Sequence, residues 1–183
     1  MLKLAIFVVV SAVFATISRA SLPAPRSHGF YRFFAWECIL GLFLLNVEVW
    51  FRDPFSAPQL ISWFLLIVGT FLVLHGVYLL RRMGKPDDAR QDAPLLAFEK
   101  TTTLVVEGIY RYIRHPMYSS LLFLAWGIFF KDVMSWAGIG LVAAATFFLT
   151  MTAKAEEGED IRFFGAAYQE YMKRTRMFVP FLF

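Results

Sequence analysis

The 183-residue chain has one cysteine, Cys38, and three histidines, at positions 28, 75 and 115. A single cysteine excludes an internal disulfide and any multi-cysteine metal site. Histidines so scattered offer no pair at metal-ligand spacing, so no metal site is expected. Neither a phosphate-binding loop nor a dinucleotide glycine fingerprint occurs, so any cofactor is held by something other than a Rossmann turn. Charge is scarce as well. Asp, Glu, Lys and Arg make up 17% of the residues, against about 25% in a typical soluble domain. There is no internal repeat and no low-complexity tract.

What fills the space is apolar. The chain is 58% hydrophobic with 21 phenylalanines, and its mean hydropathy is +0.58. A soluble domain lies nearer half apolar and is far less hydropathic. These values indicate one all-α integral membrane domain over residues 1–183. Five apolar runs occur: Leu4 to Ser18, about Phe33 to Phe51, Leu60 to Leu80, about Pro116 to Phe130 and about Met134 to Ala153. A spanning helix needs about 20 residues, with a range of about 17–25. The second, third and fifth runs meet that length. The first and fourth are marginal and need interfacial residues to complete them. Backbone in lipid must satisfy its own hydrogen bonds, so the runs are read as helices. Lys3, the run Leu4 to Ile17 and Ser18-Arg19-Ala20-Ser21 have the outline of a signal peptide. Arg19 before the cleavage point, and the spans that follow, favour a retained first helix. The expected layout is three N-terminal spans (1–80), a cytoplasmic loop (81–115), a helical hairpin (116–153) and a cytoplasmic helix and tail (154–183).

The loops give the orientation. Arg19, Arg26 and Arg32 follow the first run, and Arg52 with Asp53 the second. Arg81, Arg82, Lys85, Arg90, Arg111 and Arg114 follow the third. Lys131 and Asp132 follow the fourth. Lys154, Arg162, Lys173, Arg174 and Arg176 follow the fifth. Basic residues concentrate in alternate loops, which places the N-terminus outside and the C-terminus in the cytoplasm. The expected location is the inner membrane of a prokaryote or an internal membrane. Topology thus accounts for the net charge of +4, and nucleic acid is not an expected partner.

Between the third and fourth runs, Gly84, Pro86 and Pro94 mark Gly84 to Val106 as a loop. Thr101 to Val106 is β-branched enough to be extended. Ala155 to Arg174 reads as a helix with Phe164, Tyr168 and Tyr171 on one face. That helix suits either the membrane interface or a cover over a cofactor.

Polar chemistry gathers at the edges of the apolar runs. Gly108-Ile109-Tyr110-Arg111-Tyr112-Ile113-Arg114-His115-Pro116-Met117-Tyr118 leads directly into the fourth run. Proline is tolerated in the first helical turn, so Pro116 is expected to start that helix. His115 then stands at its entrance, where free N–H groups and the dipole favour an anion such as a cofactor's carboxylate or phosphate. The plainer reading makes Arg114 and His115 interfacial anchors. Glu156-Glu157 ends the fifth run, where two carboxylates oppose the helix dipole and call for a positive partner. Arg114, Lys154, Arg174 or a cofactor's amino group would serve. The plainer reading is a solvated cluster continued by Glu159 and Asp160. Glu37, Asn46, Glu48 and His75 also lie in or near apolar runs, where ionisable and polar groups are costly. Glu37 and Glu48 are close enough to run ends to reach the interface. His75 is expected to bond a neighbouring helix, with the site as its other direction.

Taken together, these elements resemble the isoprenylcysteine carboxyl methyltransferases and, more broadly, the membrane phospholipid methyltransferases. The resemblance rests on Gly108, Tyr110, Arg114-His115-Pro116-Met117-Tyr118, Glu156-Glu157, Gly165-Ala166-Ala167-Tyr168-Gln169-Glu170-Tyr171 and Phe178-Val179-Pro180. It covers about residues 104–183. Ser120 stands where the pattern has glycine, Lys154-Ala155 where an arginine-rich turn is common, and Met177 where a basic residue is frequent.

The resemblance implies methyl transfer from S-adenosyl-L-methionine to a lipophilic acceptor, either small or lipidated, such as a prenylcysteine carboxylate or a phospholipid amine. Membrane lipids are the other expected partners. It implies a cofactor site of Gly108, Tyr110, Arg114, His115, Pro116, Tyr118, Glu156, Glu157, Tyr168 and Tyr171. Glu156 or Glu157 would bind the cofactor's ammonium, and Arg114 with His115 its carboxylate. Tyr110 and Tyr118 would pack on adenine or face the sulfonium. Arg174 and Glu157 are the expected catalytic pair, with Arg174 orienting an acceptor carboxylate. An NADPH-dependent sterol-type reductase shares a similar Arg-His-Pro-x-Tyr element, usually with asparagine where Met117 stands. A non-catalytic membrane scaffold is the third reading.

Overall fold

The computed structural model describes residues 1–84, 101–133 and 135–180. Six helices carry the fold: α1 (Leu2–Ser18), α2 (His28–Asn46), α3 (Ala57–Met83), α4 (Pro116–Phe129), α5 (Trp136–Phe164) and α6 (Ala166–Arg174). Short 3-10 turns cover Val47–Val49 and Gly108–Arg111. Among the described residues there is no strand, and a parallel bridge joins Ile113 to Arg176. Most of the loop expected between Gly84 and Val106 lies outside the described residues. Its described end, Thr101 to Val106, forms no strand.

Local sequence explains the helix ends. Ser27 caps α2 by accepting from the Phe30 N–H, and Ser135 caps α5 by accepting from the Gly138 N–H. Pro116 is the first helical residue of α4. Gly165 ends α5 and opens α6 with φ 60° and ψ −134°, a conformation that only glycine adopts without strain.

The helices pack as a bundle in which α5 lies on α2, α4 on α3, and α2 also meets α1 and α4. The core between them is formed by Ile39, Leu42, Ala125, Ile128, Phe129, Val142 and Ala145. Apolar faces gain little from meeting each other in lipid, so close approach and polar links have to hold the pairs. A Cβ on Gly69 of α3 would lie 3.0 Å from the Ser120 carbonyl oxygen of α4. The small residue expected on α4 is therefore supplied by α3, and Ser120 is accommodated, buried, with its hydroxyl on the Met117 carbonyl. Ser62 donates to the Gly127 carbonyl at 2.7 Å, and Asn46 to the Ile128 carbonyl at 2.9 Å.

Three helical segments, His28–Val49, Ala57–Met83 and Trp136–Phe164, are long and apolar enough to cross a membrane, while α1 and α4 are shorter. Two boundaries differ from the sequence expectation. The fifth helix does not stop near Ala153 but continues to Phe164, because loss of hydropathy marks the end of a membrane environment and not of a helix. The helix expected over 155–174 is broken at Gly165. The Glu156-Glu157 pair consequently sits about two turns inside α5, and the opposition to a helix C-terminus does not arise.

Candidate active site

One end of the bundle gathers the start of α2, the ends of α3 and α5, the start of α4 and all of α6. The 3-10 turn before α4 is set by Gly108, at φ 58°. A Cβ there would come within 2.6 Å of Leu79 and 3.2 Å of His75 Nε2. This turn seats Tyr110 in a small core with Leu79 and Val105. The chain then runs through Tyr112 to His115 beside the tail. Arg114 N–H donates to the Arg176 carbonyl at 2.8 Å, Arg176 N–H to the Tyr112 carbonyl at 2.9 Å, and His115 N–H to the Met177 carbonyl at 3.2 Å. Ser119 Oγ reaches the carbonyls of His115 and Phe178, both at 2.9 Å. Helix start and tail are thus one structural unit.

A cleft opens between these elements. Its walls include Leu80, Tyr110, Arg114, His115, Pro116, Met117, Tyr118, Glu156, Asp160, Tyr168 and Tyr171. Opposite charges meet across it. His115 Nδ1 lies 3.1 Å from Glu156 Oε2, and Arg114 Nε donates to Glu157 Oε1 at 2.7 Å. Arg114 Nη1 also donates to the Thr175 carbonyl at 2.6 Å. Burial by itself would push the His115 imidazole down, but the hydrogen bond to Glu156 and the negative charges of Glu156 and Glu157 outweigh it and raise it to about 9. At neutral pH the ring is an imidazolium. The anions met at the entrance of α4 are the chain's own carboxylates.

Aromatic rings complete the walls. Tyr118 stacks on His115 with centroids 5.5 Å apart. Tyr171 is buried and donates its hydroxyl to the Tyr110 carbonyl at 2.6 Å. Burial pushes the phenols of Tyr168 and Tyr171 up, so both stay protonated.

The structure therefore brings Tyr110, Arg114, His115, Pro116, Tyr118, Glu156, Tyr168 and Tyr171 to one cleft. Gly108 shapes the turn behind it, and Glu157 stands behind Arg114 without lining it. Arg174 is elsewhere, in a surface concavity with Arg111, Tyr112, Lys173 and Arg176. His75 stacks on Phe71 at 5.5 Å and approaches Gly108. Glu37 accepts from Ser11 at 2.6 Å, tying α1 to α2, and Glu48 pairs with Lys3.

Sequence reasoning missed a second acid–base pair. His28, fully buried at the start of α2, bonds Glu159 Oε2 through Nδ1 at 2.6 Å. Glu159 is not part of a solvated cluster, because α5 carries it past the apolar run and onto the first turn of α2, and Asp160 lines the cleft. The available signal was the spacing of Glu156 and Glu159, three apart on a helix and hence on one face. The two histidines that begin α2 and α4 meet those two carboxylates on successive turns of α5.

The chain matches the family model described as phospholipid methyltransferase over residues 57–166, more than half its length. It belongs to that family, and its apolar helices agree with a membrane protein. It is 21% identical to methanethiol S-methyltransferase of Crocosphaera subtropica, over 88% of this chain and 64% of that protein. It is 28% identical to a probable protein-S-isoprenylcysteine O-methyltransferase of Oryza sativa subsp. indica, over 66% of this chain and 63% of that protein. It is also 25% identical to 3-oxo-5-alpha-steroid 4-dehydrogenase 1 of Macaca fascicularis, over 79% of this chain and 48% of that protein. The chain spans a little under two thirds of the length of the first two of these relatives. No solved structure matches it.

Proposed function

We propose that this chain is a membrane methyltransferase that moves the methyl group of S-adenosyl-L-methionine to a lipophilic acceptor. The observation that carries this reading is the pairing of His115 with Glu156 and Arg114 with Glu157 in a tyrosine-walled cleft. A zwitterion bearing both an ammonium and a carboxylate fits such a site, since it can take one member of each pair as its own partner. His115 Nε2 is buried and makes no hydrogen bond, although it lies 3.5 Å from Glu157 Oε1. That donor is the natural one for a ligand carboxylate.

In this reading Glu156 receives the ammonium, His115 and Arg114 the carboxylate, and Tyr110, Tyr118, Tyr168 and Tyr171 enclose adenine and sulfonium. When bound, the sulfonium supplies an electrophilic methyl, whose carbon–sulfur electrons stay with sulfur as the acceptor's lone pair forms the new bond. The chain's own task is to hold donor and acceptor in line and to exclude water. Glu157 keeps Arg114 in place, and Arg174, which lies in a separate concavity and not in the cleft, takes no part in the transfer itself.

The acceptor is reached from lipid. All five helices α1 to α5 are taken to cross the membrane, with the N-terminus outside and the cleft at the cytoplasmic side. The 14 residues of α4 extend about 21 Å, short of the hydrocarbon thickness of about 30 Å. The cleft at its start therefore dips toward the headgroups. An apolar groove between α1, α2 and α4, with Phe14, Trp36, Phe43 and Leu121 in its walls, begins one turn below Tyr118. Acceptors in this class are a prenylcysteine carboxylate, a phospholipid amine or, by analogy with the bacterial relative, a small apolar thiol.

Calorimetric titration of the detergent-purified chain with S-adenosylhomocysteine tests the reading. Saturable binding is expected, and it is lost in His115→Ala and Glu157→Gln variants that still elute as a single species. Full affinity in both variants overturns the assignment. The likeness to the steroid dehydrogenase favours a second reading, a sterol-type reductase, and binding of NADPH in place of S-adenosylhomocysteine would establish it. Binding of neither by folded protein would identify a scaffold.

A further inference from the structure

Outside the cleft, four cations are held together where mutual repulsion would drive them apart. Arg111, Lys173, Arg174 and Arg176 line one surface concavity with the ring of Tyr112. All five are exposed. Their proximity is fixed by backbone, through the Ile113–Arg176 bridge and the Arg176 N–H bond to the Tyr112 carbonyl. Lys173 has Glu170 at 2.5 Å, and Arg174 Nε donates to the Glu170 carbonyl at 3.5 Å. Among the described residues, Arg111 and Arg176 have no carboxylate partner. Four cations gathered by a fold with one carboxylate, Glu170, paired among them mark a site for an anion.

The height of the cluster identifies the anion. Arg114 touches both Glu157 and Thr175, so α6 folds back along α5 and ends level with Glu157. The tail then pairs with residues 112–115, immediately before α4 begins at Pro116. The cations thus sit where an apolar helix starts, at headgroup level. Guanidinium groups take phosphate oxygens in bidentate geometry, and an aromatic ring with a polar tip suits the same layer.

We infer that Arg111, Lys173, Arg174 and Arg176 form a binding site for the phosphate of an anionic membrane lipid, seated beside the cleft. The lipid braces the tail, and with it Tyr168 and Tyr171 of the cleft wall. This inference requires that α4 enters the membrane at Pro116, and it does not depend on methyl transfer.

The test is native mass spectrometry of the full chain released from nanodiscs of phosphatidylcholine mixed with phosphatidylglycerol. The wild type is expected to retain phosphatidylglycerol with about tenfold preference, as several cations acting together at a membrane surface give. Arg111→Gln/Arg176→Gln loses the preference, while Arg111→Lys/Arg176→Lys keeps most of it. Arg19→Gln/Arg26→Gln, which removes two exposed cations from another loop at the same end of the bundle, keeps it as well. Equal retention of the two lipids by the wild type overturns the inference, as does an equal loss in the Arg19/Arg26 variant. Abolition of the preference by millimolar inorganic phosphate overturns the lipid assignment in favour of a soluble anion.

Discussion

The two ends of the bundle bury charge by different rules. At the cleft end, cations face carboxylates: Arg114 with Glu157, His115 with Glu156, His28 with Glu159. At the far end Lys131 is buried among neutral groups. Its ammonium donates to Gln59 Oε1 at 2.9 Å and lies 3.2 Å from the ring centroid of Trp63, with Trp50 at 5.0 Å. Burial lowers this lysine to about 8. A cation held by an amide and two indoles has partners that are fixed and cannot be exchanged for a ligand. Paired ions in a cleft can exchange partners. The contrast is the physical ground for assigning the proposed ionic ligand to the cleft end.

Substitutions sharpen this contrast. Arg114→Leu removes the hydrogen-bonded cation of buried Glu157, leaving it only His115 at 3.5 Å, and is expected to cost about 3 kcal/mol, read as a lower thermal midpoint in detergent together with loss of S-adenosylhomocysteine binding. Gly69→Leu drives α3 off the Ser120 carbonyl and is expected to cost about 1–3 kcal/mol, with the same thermal measurement as the check. Lys131→Met keeps the fill of the indole cage and leaves Gln59 Oε1 unpaired, for a loss of about 1–2 kcal/mol. Ligand affinity in that variant is unchanged, and a drop would show that the two ends are coupled.

The smallest effect is one of pH, and its sign differs between the ends. His115 is raised to about 9, above an unfolded value near 6.5. Its stabilisation is complete below about 6.5 and is lost as pH rises through 9, because there the folded state binds more protons than the unfolded one. Lys131 is lowered to about 8, below an unfolded value near 10.4. Between those values the unfolded state binds more protons, so stability rises with pH. Thermal midpoints measured from pH 6.5 to 10 are expected to decline gently in the wild type and more steeply in Lys131→Met. Identical slopes would remove the contribution assigned to Lys131.

The sequence made parts of this legible and hid others for physical reasons. Pro116 starts its helix as its missing N–H dictates, and Arg114 was among the partners that the Glu pair required. The continuation of α5 was hidden because Lys154 to Asp160 are mostly polar, and polarity does not end a helix. The break at Gly165 was hidden because Phe164, Tyr168 and Tyr171 keep helical spacing across it. The His28–Glu159 pair joins residues 131 positions apart, and neither residue type predicts the other. Arg174 follows Tyr171 by only three positions, yet its side chain belongs to another surface.

The length of α5 has a mechanical consequence. One unbroken helix of 29 residues carries the exposed Phe147 on its apolar part and Glu156, Glu157 and Glu159 among the helix starts they grip. In the proposed topology it is a lever with one arm in the bilayer. A thinner or thicker membrane changes its tilt, and the three carboxylates must then swing relative to His28, Arg114 and His115. Ligand affinity measured across lipids of graded acyl length should therefore peak at one thickness, making the cleft a gauge of the membrane in which it sits.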